Sequence, residues 1–285
     1  MNSAAYPLPD VVLIPFVQAA LAEDMGRKGD ITSQAIIPVG KQGRLHLVSR
    51  SPGVIAGMAL AQLAFAQIDP AIEVNIVQQD GAHVQADQLL ATVSGDVRSM
   101  LAAERTALNF LTHLSGIATQ TADIVKRVAG TKARITCTRK TIPGLRVLQK
   151  YAVRVGGGWN HRMALDDAML IKDNHIALAG DLRTAIAQAH AHAGHLTPVE
   201  LEVDTLEQLA IALEEGVRLV LLDNMDCDTL RQAVAMCQGK AQTEASGGIT
   251  PETVQAVAQT GVDYIAIGYL THSTKALDIG LDFQA

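Results

Sequence analysis

The stretch from Pro198 to Asn224 reads PVELEVDTLEQLAIALEEGVRLVLLDN. Two short β patterns, at 198–203 and 218–222, flank a helical pattern at 205–215. Gly216 stands where that helix should end. Strand, helix and strand in so short a span make the repeating unit of a parallel sheet. Each strand closes on an acid, Glu202 in the first and Asp223 in the second.

The same alternation extends in both directions. Further β runs fall at 134–138, 168–171, 241–245 and 263–267, with helical patterns at 143–155, 181–193, 228–237 and 250–260. Asp181 is placed to cap one helix, and Thr250 followed by Pro251 reads as another cap with proline at the first helical position. Gly156, Gly194 and Gly261 stand at further helix ends. The polar residues gather at the carboxyl ends of these strands: Thr138, Arg139 and Lys140; Lys172; Glu202; Asp223; Ser246, Gly247 and Gly248; and Gly268. In βα barrels that rim holds the active site.

The charges say what the rim is for. Between Thr138 and Lys172 stand Arg139, Lys140, Arg146, Lys150, Arg154, Arg162 and Lys172, against only Asp166 and Asp167, in a chain of formal charge −6. A cationic cluster in an acidic chain suggests a small polyanion as ligand. Lys150 and Arg154, inside a helical pattern, read as solvated charges; Arg139, Lys140, Arg162 and Lys172 stand where elements begin or end. The loops SGG (246–248) and GYLTHS (268–273) suit a phosphate, because glycine lets backbone N–H groups approach an anion. Glu202 and Asp223 are natural hosts for Mg²⁺ or ribose hydroxyls, or partners for Lys172. His161, beside Arg162, reads as a hydrogen-bonding or anion-contacting group. His190, His192 and His195 fall on a helix and its trailing loop and read as solvated.

Ahead of this region lies a different pattern. A helix at 9–26 places Val12, Phe16, Ala19 and Ala20 at helical spacing, followed by a turn and cap region, GRKGDITS. Residues 43–95 are mostly short β patterns, with a helix at 58–67. DGAHVQADQLLATVSG is similar to the hairpin of lipoyl and biotinyl carrier domains, but such a carrier needs a tip lysine and none occurs between Lys41 and Lys126. A strong helix runs from Val97 to about Ser115. Glu104 falls in its apolar stripe and reads as one half of an ion pair, with Arg105 at the stripe's edge.

Composition sets the outer limits. The chain has 285 residues, 48% hydrophobic and 3% aromatic, so a core of Ala, Leu, Val and Ile is expected. The scarcity of aromatics argues against binding single-stranded nucleic acid by stacking. Cys137, Cys227 and Cys237 form neither a disulfide framework nor a zinc motif. With no signal-peptide pattern and no membrane-length apolar run, a soluble cytoplasmic protein is expected.

Four pieces, TRKTIPGLR, KYAV, GGGWNHR and LIKDNH, in this order and spacing, resemble the quinolinate phosphoribosyltransferase family. ALAEDMGRKGDITSQAIIP, ERTALNFL with LSGIAT, SGGIT and ALDIGLDF extend the resemblance over nearly the entire chain. It implies an α/β protein with an N-terminal α/β sandwich (1–115) and an incomplete (β/α) barrel with fewer than eight strands (116–285), whose C-terminal end packs back on the first domain. It implies transfer of phosphoribosyl from phosphoribosyl diphosphate to quinolinate with decarboxylation, assisted by Mg²⁺, in a homodimer with shared sites. The quinolinate residues it implies are Arg105, Thr138, Arg139, His161, Arg162 and Lys172. For phosphoribosyl diphosphate they are Lys140, Glu202, Asp223, Ser246, Gly247, Gly248, Gly268 and His272, with Glu202 and Asp223 also as metal ligands. Lys140, Lys172, Glu202 and Asp223 carry the catalytic role. Two positions depart from the pattern: Cys137 where Asp is usual, and Trp159 where a small residue is usual. A related pyrophosphorylase found beside molybdate transport systems, and a non-catalytic anion-binding module, are the alternative readings.

Overall fold

A computed structural model describes residues 6–283. The chain divides into two units. One holds residues up to Ala122, Leu148–Gly157 and the segment from Ser273; the other holds Asp123–Val147 and Gly158–His272.

The first unit is built on an antiparallel sheet with strand order Ile279–Phe283, Gln42–Ser49, Gln88–Asp96, Glu73–Ile76. Alternation explains its buried face: Leu45, Leu47, Ala91 and Val93 are enclosed. The C-terminal strand pairs with the first, Leu45 opposite Phe283, so the chain's end does return to this unit. Helix Asp10–Met25 packs on helix Met58–Ile68. Its buried row is Leu13, Val17 and Leu21, one position along from the stripe expected at Val12 and Phe16. Asp30 caps helix Ile31–Ile36 by accepting from Thr32 N and Ser33 N, so the turn signal was read correctly.

Three expectations are corrected in this unit. The helix from Val97 does not stop near Ser115 but runs to Arg127. Gly116 lies inside that helix, where a Cβ would lie 2.1 Å from the Lys275 carbonyl oxygen, so glycine serves close approach of two backbones. Lys150 is not solvated. Helix Arg146–Val155 buries Leu148, Gln149, Lys150, Ala152 and Val153, and Lys150 has 0% exposure. Gly156, just past that helix, would place a Cβ 2.4 Å from the Ala118 carbonyl oxygen, and Gln149 Nε2 lies 2.9 Å from His113 Nε2. The short helix is thus sheathed by the long one, and a charge off its apolar stripe is enclosed with it. Glu104 forms no salt bridge among the described residues. Half-burial holds its carboxyl above the usual range, only partly offset by the Arg105 charge.

The second unit carries a six-stranded parallel sheet, ordered Arg134–Thr136, Tyr264–Ala266, Gln242–Ser246, Leu219–Asp223, Val199–Val203, Met169–Ile171. All six expected strands are present. The segment at Trp159 adds a seventh position beside the first: Trp159 N donates to the Ile135 carbonyl at 2.7 Å and Cys137 N to the Trp159 carbonyl at 3.1 Å. One face of the sheet supplies Ile135, Ile171, Leu201, Val203, Val220, Leu222, Ala245 and Ile265 to a core shared with the flanking helices. Helices Leu182–His192, Leu206–Glu214 and Cys227–Cys237 lie where expected, capped by Asp181, Thr205 and Asp226. Thr250 does not cap a helix; that turn opens late, at Val254, and Thr250 N instead donates to Thr253 Oγ1. Helix Asp173–Ala179 was not anticipated. All three cysteines are free, and burial pushes the Cys237 thiol up to about 11. Among the described residues no helix is long and apolar enough to cross a membrane.

Candidate active site

A parallel sheet covered on both faces should be apolar on both. Here the alternate strand positions, opposite the aliphatic face, carry Thr136, Glu200, Glu202, Asp223, Glu244 and Ser246. So many polar groups on an inner face are costly unless they bind something or one another.

At the strand ends the structure brings the residues together in small groups. Lys172 and Glu202 form an ion pair between neighbouring strands. The Lys172 backbone N–H donates to His175 Nδ1 at 2.9 Å, which fixes the start of the following helix. Asp223 accepts from Asn224 Nδ2 at 2.6 Å, and Asn224 N donates to the Ser246 carbonyl. Asn224 takes a left-handed φ of 53° to do so. Gly247 has a φ of 98°, and a Cβ there would lie 2.1 Å from Asn224 Oδ1. Only glycine fits, on both counts. A Cβ at Gly268 would lie 3.1 Å from Lys140 Cδ and 3.4 Å from His272 Nε2, so these three positions adjoin. Thr271 Oγ1 donates to the Lys140 carbonyl at 2.8 Å, and Lys140 N donates to Thr138 Oγ1 at 3.0 Å.

The Arg139 charge is felt at Arg162. Burial first, and then the Arg139 charge, hold the Arg162 guanidinium below its usual value. Arg139 Nε is buried with no hydrogen-bond partner among the described residues. Two guanidiniums that repel, one with a buried donor unused, leave an electrostatic demand for an anion. Arg162 Nη1 also donates to the Ala168 carbonyl at 2.9 Å.

His161 takes a different place. Its Nε2 lies 2.7 Å from Glu200 Oε2, and Thr136 Oγ1 donates to Glu244 Oε1 at 2.7 Å. These groups line a cavity of about 320 Å³ among the early halves of the strands, with Trp159, Arg162 and Tyr264 in its wall. His161, Glu200 and Glu244 are also the one three-residue group with metal-ligand spacing among the described residues. The expected pair, Glu202 and Asp223, offers only two carboxylates. Their hard oxygens on adjacent strands would suit a hard divalent cation such as Mg²⁺ that keeps several of its waters.

Trp159 stacks on Arg134, whose guanidinium carbon lies 4.3 Å from the ring centroid. Cys137 is buried with Sγ 3.3 Å from Asn160 Oδ1, a small neighbour rather than a nucleophile. Arg105 is exposed on helix Val97–Arg127, in the first unit. The sequence reading missed Asn224, Thr271, Glu200 and Glu244. Of these Glu200 left a signal: it stands two residues before Glu202 in VELEVD, on the same face of the strand.

Glu244 titrates abnormally. Burial chiefly, and then the Glu200 charge, raise its carboxyl from 4.5 to about 7. The folded protein therefore binds a proton that the unfolded chain has released, so this group's contribution to stability falls as pH rises from about 4.5 to about 7 and is flat above. Glu244→Gln is expected to leave stability at pH 5 nearly unchanged and to raise it by about 1–3 kcal/mol at pH 8. Urea unfolding at the two pH values checks this. An equal effect at both would mean that the carboxyl does not titrate in this window.

A parallel βα barrel whose polar face sets paired cations beside two acidic strand ends defines an enzyme for small polyanionic substrates. Residues 30–115 match the family model of the quinolinate phosphoribosyl transferase N-terminal domain, and residues 117–282 that of its C-terminal domain. The chain is 48% identical over 271 residues to the nicotinate-nucleotide pyrophosphorylase (carboxylating) of Mycobacterium leprae, covering 93% of this chain and 95% of that one. It is 40% identical over 295 residues to quinolinate phosphoribosyltransferase (decarboxylating) 2, mitochondrial, of Nicotiana glauca, covering 97% and 83%. The nicotinate-nucleotide pyrophosphorylase structure from Francisella tularensis superposes with a TM-score of 0.94 at 38% identity, over 100% of both chains. The chain belongs to the quinolinate phosphoribosyltransferase family.

Proposed function

We propose that this chain joins the ring nitrogen of quinolinate to C1′ of phosphoribosyl diphosphate, releasing diphosphate and CO₂ and forming nicotinate mononucleotide for NAD biosynthesis. The observation that carries this reading is the Arg139–Arg162 pair, two guanidiniums within range of each other's charge, with the buried Arg139 Nε left without a partner among the described residues. A dicarboxylate satisfies such a pair through two forked contacts. Thr138, His161 and Lys172 complete the pocket, and Arg105 is contributed by the partner subunit of a cytoplasmic homodimer.

Lys140, His272, Ser246, Gly247, Gly248 and Gly268 hold the phosphates, with positive charge and loop N–H groups directed at the anion. Glu202 and Asp223 face the ribose hydroxyls and would hold Mg²⁺, which when bound would supply positive charge against the diphosphate. The C1′–O bond lengthens as C1′ acquires oxocarbenium character, and Lys140 stabilises the charge growing on the departing oxygen. The ring nitrogen then bonds to C1′ and becomes cationic. That positive charge stabilises the electron pair left in the C2 orbital when CO₂ departs, and this pair then takes a proton from water to form the C2–H bond. No side-chain base is needed to start the reaction, in keeping with a site built of cations.

The test is turnover of phosphoribosyl diphosphate with quinolinate against nicotinate. Quinolinate is expected to be used with a kcat/KM at least about tenfold higher, since a monocarboxylate forgoes one charge-assisted contact. Equal use of the two bases would sink the reading.

A further inference from the structure

We propose that Glu200 is a positioning residue for the dicarboxylate pocket: backed by Glu244 and Thr136, it holds the His161 ring through Nε2 in the one orientation the substrate meets. This deepens the reading above, and rests on His161 belonging to the quinolinate pocket.

The chain of contacts is continuous and enclosed. Thr136 Oγ1 donates to Glu244 Oε1, carboxylate oxygens of Glu244 and Glu200 lie within 4.8 Å of each other, and Glu200 Oε2 lies 2.7 Å from His161 Nε2. The side chains of His161 and Glu200 are each 12% exposed, and Glu244 is 8% exposed. A carboxylate can only accept, so the short contact assigns the proton to Nε2 and selects the ring's tautomer. Two carboxyls side by side would repel if both were ionised. The raised Glu244 carboxyl eases that conflict by holding its proton to a higher pH than an ordinary carboxyl does. Glu200 and Glu244 stand on different strands, so the His161 ring, itself in a loop, is tied to the sheet. The arrangement is a carboxylate–histidine couple with its own support, the kind of backing that holds a functional imidazole in one orientation.

The same atoms could instead surround a metal ion, since all three candidate ligand atoms lie within 4.8 Å of one another. The two arrangements differ at one atom: Nε2 is protonated in the first and bare, as a ligand, in the second.

The experiment uses the full-length protein and reads substrates separately. Glu200→Ala is expected to raise the quinolinate KM about tenfold, with the phosphoribosyl diphosphate KM moving less than about threefold. Glu200→Gln should return the quinolinate KM to within about threefold of the parent, because its amide oxygen still accepts from Nε2. His161→Ala should match Glu200→Ala, and the double variant should be no worse than His161→Ala alone. If His161→Ala leaves the quinolinate KM unmoved, the placement of His161 in the pocket fails. If His161→Ala raises it while Glu200→Ala does not, that placement stands and the positioning role of Glu200 is overturned. Should Glu200→Ala fail to fold, ¹⁵N-histidine NMR of the unsubstituted protein decides: a proton on His161 Nε2 supports the proposal. A bare Nε2, or a stoichiometric metal ion retained at this triad, overturns it.

Discussion

Arg139→Ala is expected to raise the quinolinate KM on the order of 100-fold, while the KM for phosphoribosyl diphosphate moves less than about threefold. Arg162 lies within reach of the Arg139 charge, and burial adds to the cost of keeping Arg162 ionised. A bound dicarboxylate removes that cost, so part of the binding energy is repulsion relieved. Loss of a charge-assisted hydrogen bond typically costs about 1.5–3 kcal/mol, and a forked pair stands at the upper end. Without substrate the sign reverses. Deleting one of two repelling charges should leave the folded protein as stable as before, or slightly more so. The signature is therefore weak quinolinate binding with an unchanged or higher melting temperature. Arg139→Lys keeps the charge but not the planar fork, and should fall between, at about tenfold. Titration of quinolinate into each variant, with a parallel melt, checks both. Parent-like affinity in Arg139→Ala would take that residue out of the pocket.

The strands and the rim were legible for the same reason. Outward-facing Val, Ile, Leu and Ala residues had to recur at every second position to meet the helices, and the residues left over were Glu, Asp, Lys and Gly. Nothing about aliphatic packing calls for Glu202 and Asp223 at the ends of neighbouring strands, so chemistry was the remaining explanation. Gly247 was recognisable as a loop glycine, although its second constraint, the Asn224 amide 2.1 Å from any Cβ, required the fold.

What stayed hidden depended on contacts distant in sequence. Thr136 and Glu244 stand 108 residues apart, and His161 and Glu200 39 apart. Glu244, inside QTEAS, looks like an ordinary polar strand residue until the barrel sets it beside Glu200. The need for glycine at Gly116 shows only once the Lys275 carbonyl is placed against it. Lys150 reads as solvated because charge favours water; its burial follows from the long helix lying over its own. In each case local preference was sound and tertiary packing overrode it.

The shared site of the proposed homodimer leads to the largest expected effect. Arg105 lies on helix Val97–Arg127, in a different unit from Arg139, Arg162 and Lys172. If it completes the pocket of the partner subunit, Arg105→Ala and Lys172→Ala should each be nearly inactive as homodimers. Denatured, mixed in equal amounts and refolded, they pair at random, and about half the dimers carry one subunit of each kind. In such a dimer, the site with intact Lys172 receives intact Arg105 from its partner. The other site receives both defects. One good site in each mixed dimer returns roughly a quarter of the parent's total activity, by the same pairing statistics. If Arg105 served its own chain, every site in a mixed dimer would hold one defect and activity would stay at the level of the single variants. Distinct affinity tags on the two chains show whether mixed dimers have formed. Mixed dimers without recovered activity would exclude a site shared between subunits.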